Sequence, residues 1–196
     1  MSFNNAKPIL FNTEMVKAIL DGRKTQTRRV IPLKNNDLIF TGFVVSSTAK
    51  NREGYCAFGK NKEQDLEFAK PHYKVGDILY VKEKCVDEYP NGFCFKEDYE
   101  EEEWNDRYLI KQYCNKLNAR IFLKVTNVRI ERLQDISVRD IEKATGWRRE
   151  IYSYSNKNKA FFKDYRDFWN STAKDGYKWE DNPYVFVYEF ERIEKQ

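Results

Sequence analysis

A dense run of cations and hydroxyls occupies residues 23–29, with the sequence Arg-Lys-Thr-Gln-Thr-Arg-Arg. Four of its seven residues are Arg or Lys, and two of the others are Thr. A Thr hydroxyl can serve as a nucleophile when a neighbouring base activates it, and Arg side chains bind anions through forked donors. The run therefore predicts either an anion-binding or catalytic edge, or a basic strand that is simply solvated.

Catalysis would give Lys24 and Thr27 distinct roles. Thr27 would be the nucleophile and Lys24 its base, which requires a lowered pKa for the Lys24 ammonium. Crowding by the positive charges of Arg23 and Arg28 acts in that direction. Residues 24 and 27 face opposite sides of a regular strand, so they converge only at a bend or bulge. We expect Glu83 to supply the carboxylate of the site, and its alternative role is an ion pair with an arginine of the run.

Binding of a nucleic acid asks less of the same residues. The cations expected to contact phosphates are Arg23, Lys24, Arg28 and Arg29. Further along the chain, Trp147 stands next to Arg148, a combination that suits stacking on an exposed base beside a phosphate contact. The alternative for Trp147 is a core position under the helix that begins at Ser137.

The composition bounds the class of protein. With 35 basic and 31 acidic residues, the net charge of +4 is too small to imply nucleic-acid binding by itself, but the cations are concentrated in residues 17–34. Four cysteines without a C-x-x-C pair and a single histidine argue against a metal site, and no cofactor is indicated. We see no apolar run long enough for a membrane span and no signal peptide, and we expect a cytoplasmic protein with reduced thiols.

Hydrophobic periodicity predicts the elements that hold the run in place. A helix capped by Asn12 or Thr13 should end at Gly22, and a strand should follow it as far as Pro32. Further strands are expected over 78–83, over 120–133 with a bulge near Asn127, and over 184–191. Two helices, one starting at Ser137 and one carrying an aromatic stripe over 161–169, complete the pattern.

These elements predict one domain over residues 1–196, with an α+β fold. Mostly antiparallel strands with helices at the ends favour a small β-barrel with flanking helices. We expect a loop region over about 34–70 and an acidic insertion over about 87–118.

Four segments in order resemble the ASCH domain family, whose fold is related to the PUA RNA-binding domain. The first is the helix followed by Gly-Arg-Lys-Thr-Gln-Thr-Arg-Arg at 22–29. The others are Val-Gly-Asp-Ile-Leu-Tyr-Val-Lys-Glu at 75–83, the strand-to-helix junction at 128–137, and the helix and strand that flank Trp-Glu-Asp-Asn-Pro at 179–183. Because the chain also has the last of these segments, it is similar to a longer type of ASCH protein that phages and prophages often carry.

The resemblance implies a PUA-like β-barrel with a cleft beside the first helix. Some small ASCH proteins are amidohydrolases that remove the acetyl group of acetylcytidine, with a Lys and a Thr that correspond to Lys24 and Thr27. The Glu of that family corresponds to Ala144 here, and alanine has no acid–base chemistry. Glu142 is two positions away, about 200° around a helix, so it could substitute only on an irregular helix.

Three functions remain open from the sequence. We favour binding of RNA, single-stranded nucleic acid or a modified nucleoside in a cleft lined by Lys24, Thr27, Arg28 and Glu83. An amidohydrolase that deacylates acetylcytidine-type nucleosides is the second. The third is a phage protein that acts by protein–protein contact through the insertion at 87–118.

Overall fold

The computed structural model describes residues 3–45, 52–61, 66–87, 92–100, 102–104, 112–148 and 157–194. The strands are, in chain order, β1 (Lys7–Leu10), β2 (Gln26–Val30), β3 (Ile39–Phe43), β4 (Cys56–Gly59), β5 (Glu67–Ala69), β6 (Ile78–Lys82), β7 (Lys84–Asp87), β8 (Phe93–Phe95), β9 (Gln112–Tyr113), β10 (Phe122–Arg132) and β11 (Tyr184–Ile193). The longer helices are α1 (Thr13–Leu20), α2 (Val138–Thr145) and α3 (Lys157–Thr172). The chain has an α+β fold, as the sequence predicts.

The main sheet has five strands in the order β1–β6–β10–β11–β2. β1 lies parallel to β6, and the remaining pairs are antiparallel. The two long strands, β10 and β11, form its centre, and their register shifts between Val125 and Asn127. This irregularity confirms the predicted bulge, which bends the strand and increases its twist.

The sheet curves around an apolar core, and its edge strands β1 and β2 approach each other. The Arg29 guanidinium on β2 donates a hydrogen bond to the Leu10 carbonyl of β1 at 3.1 Å. Among the described residues, no backbone ladder joins these two edges. The core inside the curve includes Ile9, Leu79, Val125 and Phe190, and α1 packs on it through Val16 and Ile19.

The helices α2 and α3 cover the outer face of the sheet. The predicted aromatic stripe of α3 buries Phe161, Tyr165 and Trp169 against Ile141 of α2 and against Val185 and Val187 of β11. Asn12 caps α1 by accepting from the Met15 amide, and Ser137 caps α2 by accepting from the Asp140 amide. Both predicted caps are confirmed. They set where each helix begins and therefore which residues reach the end of β2.

Two segments differ from the sequence-based expectation or extend it. The region predicted as a loop over 34–70 contains a three-stranded sheet, β3–β4–β5, whose Phe58 packs on Tyr184 and whose Leu38 joins the same core. The sequence allows a strand over 40–45, which overlaps β3, but β4 and β5 escaped prediction because their burial comes from tertiary contacts. The insertion at 87–118 contributes β8 and β9, which pair on either side of β7.

Candidate functional site

The segment 23–25 is a joint between α1, α2 and β2. Gly22 has a left-handed φ of 70° and turns the chain after α1. The amides of Arg23 and Lys24 both donate to the Ala18 carbonyl, at 2.8 and 2.9 Å. The Thr25 amide then donates to the Lys143 carbonyl at 3.0 Å. Because β2 begins only at Gln26, the alternation of a regular strand does not apply to Lys24, and its side chain can reach the same space as Thr27.

That space is a cavity of about 430 Å³, which we call the Lys24 cavity. It lies between the end of β1, the start of α1, the strand β2, the end of α2 and one side of α3. Its walls are mainly apolar and aromatic, and its polar groups are concentrated along residues 24–29. The lining residues are Leu10, Phe11, Asn12, Met15, Lys24, Thr27, Arg28, Arg29, Val30, Tyr113, Ala144, Thr145, Tyr165, Phe168, Trp169, Thr172 and Ala173.

Lys24 is buried, with 2% of its surface exposed. Its Nζ donates to the Gln26 carbonyl at 2.8 Å and to the Ala144 carbonyl, and it lies 5.0 Å from the centre of the Phe11 ring. Burial lowers the pKa of Lys24 well below its usual range, and the positive charges of Arg29 and Arg28 lower it further. A neutral amine has two N–H groups and one lone pair. In that neutral form, the two carbonyl acceptors would occupy both N–H groups and leave the lone pair of Lys24 available.

Thr27 and Arg29 share one face of β2. The Arg29 guanidinium donates to Thr27 Oγ1 at 2.8 Å, and the same guanidinium lies 5.6 Å from the centre of the Phe11 ring. Thr27 is buried, and its hydroxyl hydrogen has no acceptor of its own in these hydrogen bonds. Arg29 therefore orients the hydroxyl, and it also joins the two sheet edges that form the cavity wall.

Arg28 borders the cavity but is buried, and two of its three guanidinium nitrogens have polar hydrogen-bond partners. Its guanidinium donates to Glu131 Oε1 and to Gln26 Oε1, each at 2.8 Å, and its Nη2 lies 4.0 Å from Asp140 Oδ2. Nη2 lies 2.7 Å from Glu131 Oε1, close enough for an ion pair but without hydrogen-bond geometry. Arg28 thus connects the cavity to the amino-terminal turn of α2 and is not a free phosphate ligand.

The position at which the resemblance places a carboxylate does border the cavity. Ala144 is buried in the cavity wall and contributes a methyl group and a carbonyl oxygen. Glu142 lies on another side of α2, since the helix is regular through Thr145, and it lines a different pocket. No Asp or Glu in the described part of the chain lines the Lys24 cavity.

Glu83 is not among the cavity residues. Its carboxylate accepts hydrogen bonds from the Arg120 guanidinium at 3.0 to 3.3 Å, and Arg120 also donates to Asp98. Burial raises the pKa of Glu83, whereas the hydrogen bonds and charge of Arg120 lower it. The structure therefore does not bring Glu83 to Lys24 and Thr27, and its ion-pair partner is Arg120 rather than an arginine of the 23–29 run.

No protein-family model, curated protein or solved structure matches this chain.

Arg23, Trp147 and Arg148 lie together on the outside of the joint, in a depression that we call the basic surface pocket. Its lining residues are Arg23, Arg139, Glu142, Lys143, Gly146, Trp147 and Arg148. Arg23 donates to Asp21 at 2.7 Å and to the Gly146 carbonyl. Trp147 packs edge-on against Phe161 and Phe168, with centroids 6.0 and 5.7 Å apart, so its ring supports α3.

Sequence reasoning missed the aromatic wall of the cavity. Tyr165, Phe168 and Trp169 belong to the stripe that predicts core packing, and they also face the cavity. Helical periodicity identifies an apolar face but does not tell whether its partner is protein or an open space. Burial raises the pKa of Tyr165 to about 12, so this phenol stays protonated at neutral pH.

Two further observations concern metals and membranes. Among the described residues, no group of three His, Cys, Asp or Glu side chains is placed to hold a metal ion. None of the helices in those residues combines the length and the apolar character needed to cross a membrane.

Proposed function

We propose that this chain binds a single modified base, as a nucleoside or as an unstacked residue of RNA or single-stranded nucleic acid, in the Lys24 cavity. The Lys24 cavity itself carries the proposal. Its volume of about 430 Å³ is at the lower end of the range for small-molecule sites, which suits one base rather than several nucleotides. Aromatic walls with a few polar groups at one end also suit a planar heterocycle with exocyclic polar groups.

We also propose that the chain belongs to the ASCH family and that its sheet forms a PUA-like barrel. The four motifs favour the ASCH family, and its PUA-like barrel agrees with a curved sheet whose edges are linked by Arg29 and Leu10. The cleft that the resemblance implies beside the first helix corresponds to the Lys24 cavity, which α1 borders through Asn12 and Met15.

Binding of one base is favoured over tracking of a continuous strand, because the cations of the 23–29 run do not form a groove. Arg28 is enclosed by Glu131 and Gln26, and Arg29 is occupied by Thr27 and Leu10. An unstacked base of a longer strand could still enter the Lys24 cavity. Arg139 and Arg148, which line the basic surface pocket on the other side of the joint, would then contact the phosphates of that strand.

Deacylation of an acetylcytidine-type nucleoside is the second candidate, and the state of Lys24 favours it. Lys24 and Thr27 line the same cavity, and the lowered pKa of the buried amine is what a base for the Thr27 hydroxyl requires. Thr27 would attack the acyl carbon, the amide C–N bond would break as the amine of the base takes up the proton, and water would then hydrolyse the acetyl ester on Thr27 to release acetate. Because alanine stands at position 144 and the described lining holds no carboxylate, binding without turnover is our first choice.

Titration calorimetry with acetylcytidine and cytidine tests the proposal, with chromatography of the same mixtures to follow deacylation. The wild type should bind acetylcytidine without converting it. Lys24→Met should abolish binding because it removes the polar end of the cavity. The control Lys34→Met changes an exposed lysine beyond the other end of β2 and should bind as the wild type does.

The possible results separate the two candidates. If the wild type converts acetylcytidine to cytidine and Lys24→Met abolishes this conversion, the amidohydrolase would replace the binding proposal. The proposal would be refuted if calorimetry detects no heat of binding with either nucleoside or with a single-stranded oligonucleotide that contains acetylcytidine.

A further inference from the structure

One residue of the insertion reaches the cavity. Tyr113, on β9, lies in its lining together with Leu10 of the edge strand β1. Both side chains are about half exposed, at 46% and 50%, whereas Lys24 and Thr27 at the inner end are buried. Tyr113 and Leu10 therefore form the mouth of the cavity. A large exposed aromatic ring at the mouth of a cavity is a feature that a core role does not explain.

The backbone of Tyr113 is held firmly in place. Tyr113 pairs with Lys84 of β7, and the next residue, Cys114, is buried. The Cys114 amide donates to the Glu83 carbonyl at 2.9 Å, and its thiol donates to the Val81 carbonyl at 3.3 Å. These contacts fasten β9 to the end of β6, so the Tyr113 ring starts from a fixed backbone.

The Glu83 carboxylate connects this corner to the rest of the insertion. It accepts from Arg120, and Arg120 also donates to both oxygens of Asp98, at 2.9 and 3.0 Å. The three residues come from the end of β6, from the turn after β8 and from the segment before β10. We call them the Glu83 cluster. The cluster therefore joins the first half of the insertion, through Asp98, to the chain segments that flank the insertion, beside Cys114.

We propose that Tyr113 contacts the planar base of the ligand at the mouth of the Lys24 cavity, and that the Glu83 cluster positions Tyr113. This inference rests on the proposed function. Tyr113 is then a specificity residue supplied by the insertion, and Glu83 is a positioning residue without contact to the ligand. Lys82 adds a positive charge at the mouth, with its Nζ 5.9 Å from the centre of the Tyr113 ring.

Titration with acetylcytidine tests the contact. Loss of one stacked aromatic ring costs about 1–3 kcal/mol per base, so Tyr113→Ala should weaken binding by about 5- to 150-fold. Tyr113→Phe keeps the ring and should bind within about threefold of the wild type. The matched control is Phe93→Ala, which removes a partly exposed ring from β8 of the same small sheet but away from the cavity lining.

A double-mutant cycle tests the positioning role. Glu83→Gln should weaken binding in the wild-type background and have no further effect in the Tyr113→Ala background, because it acts only through Tyr113. Asp98→Asn, at the exposed end of the cluster, should show the same pattern in case Glu83→Gln fails to fold. Equal effects in both backgrounds would overturn the positioning role.

The outcomes separate this inference from the proposed function. Suppose that the wild type binds acetylcytidine, that Lys24→Met abolishes this binding, and that Tyr113→Ala binds as tightly as the wild type. These results would overturn the role of Tyr113 and leave the proposed function intact. A wild type that binds no acetylcytidine in any form would remove both.

Discussion

Arg23 and Lys24 are consecutive cations, yet they belong to two regions with opposite character. Lys24 turns inward, where burial lowers its pKa and two carbonyls hold its Nζ. Arg23 turns outward, where Asp21 pairs with it and the Gly146 carbonyl accepts from it. The charge of a side chain does not decide its role, because at this joint the surrounding backbone carbonyls and the degree of burial decide it.

The two regions also differ in how their charges are balanced. In the Lys24 cavity, Arg28 is neutralised by Glu131 within a buried network. In the basic surface pocket, Arg139 and Lys143 stand one turn apart on α2, and neither has an ion pair in the part of the chain that the structure describes. Like charges at this spacing slightly destabilise a helix. The charge of Arg28 is therefore balanced inside the fold, whereas Arg139 and Lys143 present positive charges at the surface.

Removal of Arg28 should have the largest effect on stability. Arg28→Met removes the donor of the Gln26 amide oxygen and of Glu131 Oε1 inside the fold, and among the described residues the Glu131 carboxylate keeps only the hydrogen bond that Arg129 donates to Oε2. Breaking a buried pair in this way costs about 3–5 kcal/mol in the free energy of unfolding. Urea denaturation followed by circular dichroism measures it.

Arg23→Met is the contrasting variant. Its guanidinium is partly exposed, so the loss should stay near 1 kcal/mol. Equal losses for the two arginines would contradict the distinction between the inner and outer regions.

Gly146→Ala should have the next largest effect, because both regions meet at this residue. Gly146 ends α2 at a φ of 79°, and a Cβ there would lie 2.3 Å from the Cβ of Ala18. The left-handed conformation and the overlap together predict a loss of about 2–4 kcal/mol.

Gly176→Ala is the matched control for this prediction. Gly176 has a φ of 83°, but a Cβ there would have nothing within 4 Å, so only the conformational cost of about 1–2 kcal/mol applies. Thermal unfolding of both variants isolates the overlap, and equal melting temperatures would argue against the close packing of α1 on the end of α2.

The pH dependence of stability should show the most specific effect. The folded-state pKa of Lys24 lies below its unfolded value of about 10.5, so between the two the unfolded chain binds a proton that the folded chain does not. Stability should therefore rise with pH in this window, by at most about 1.4 kcal/mol per pH unit. Below the folded-state pKa, or above 10.5, the contribution of Lys24 is constant.

Lys24→Met serves as the reference for this measurement. The tyrosines Tyr165 and Tyr188 have pKa values raised to about 12, so they lower stability as the pH rises above their unfolded values, in wild type and variant alike. The difference in unfolding free energy between wild type and Lys24→Met removes them. A difference that does not change with pH would mean that Lys24 keeps its charge when buried.

Much of the secondary structure could be predicted from local patterns in the sequence. The helix α1, its cap at Asn12 and the turn at Gly22 were predictable because a capping side chain and a glycine act within a few residues. The bulge of β10 was visible as a change in alternation. The strands β4 and β5 were not visible, since they pack on partners such as Tyr184 that are far away in sequence.

The site divides in the same way. The sequence and its resemblance predict Lys24 and Thr27 as the reactive pair of the 23–29 run, with Ala144 in place of a carboxylate, and these roles stay predictions. Only the tertiary structure decided that Lys24 meets the Ala144 carbonyl and that Glu83 pairs with Arg120. Composition and spacing give the capacity of a side chain to donate or accept a proton. Its partner and its solvation depend on elements that the fold brings together from distant parts of the chain.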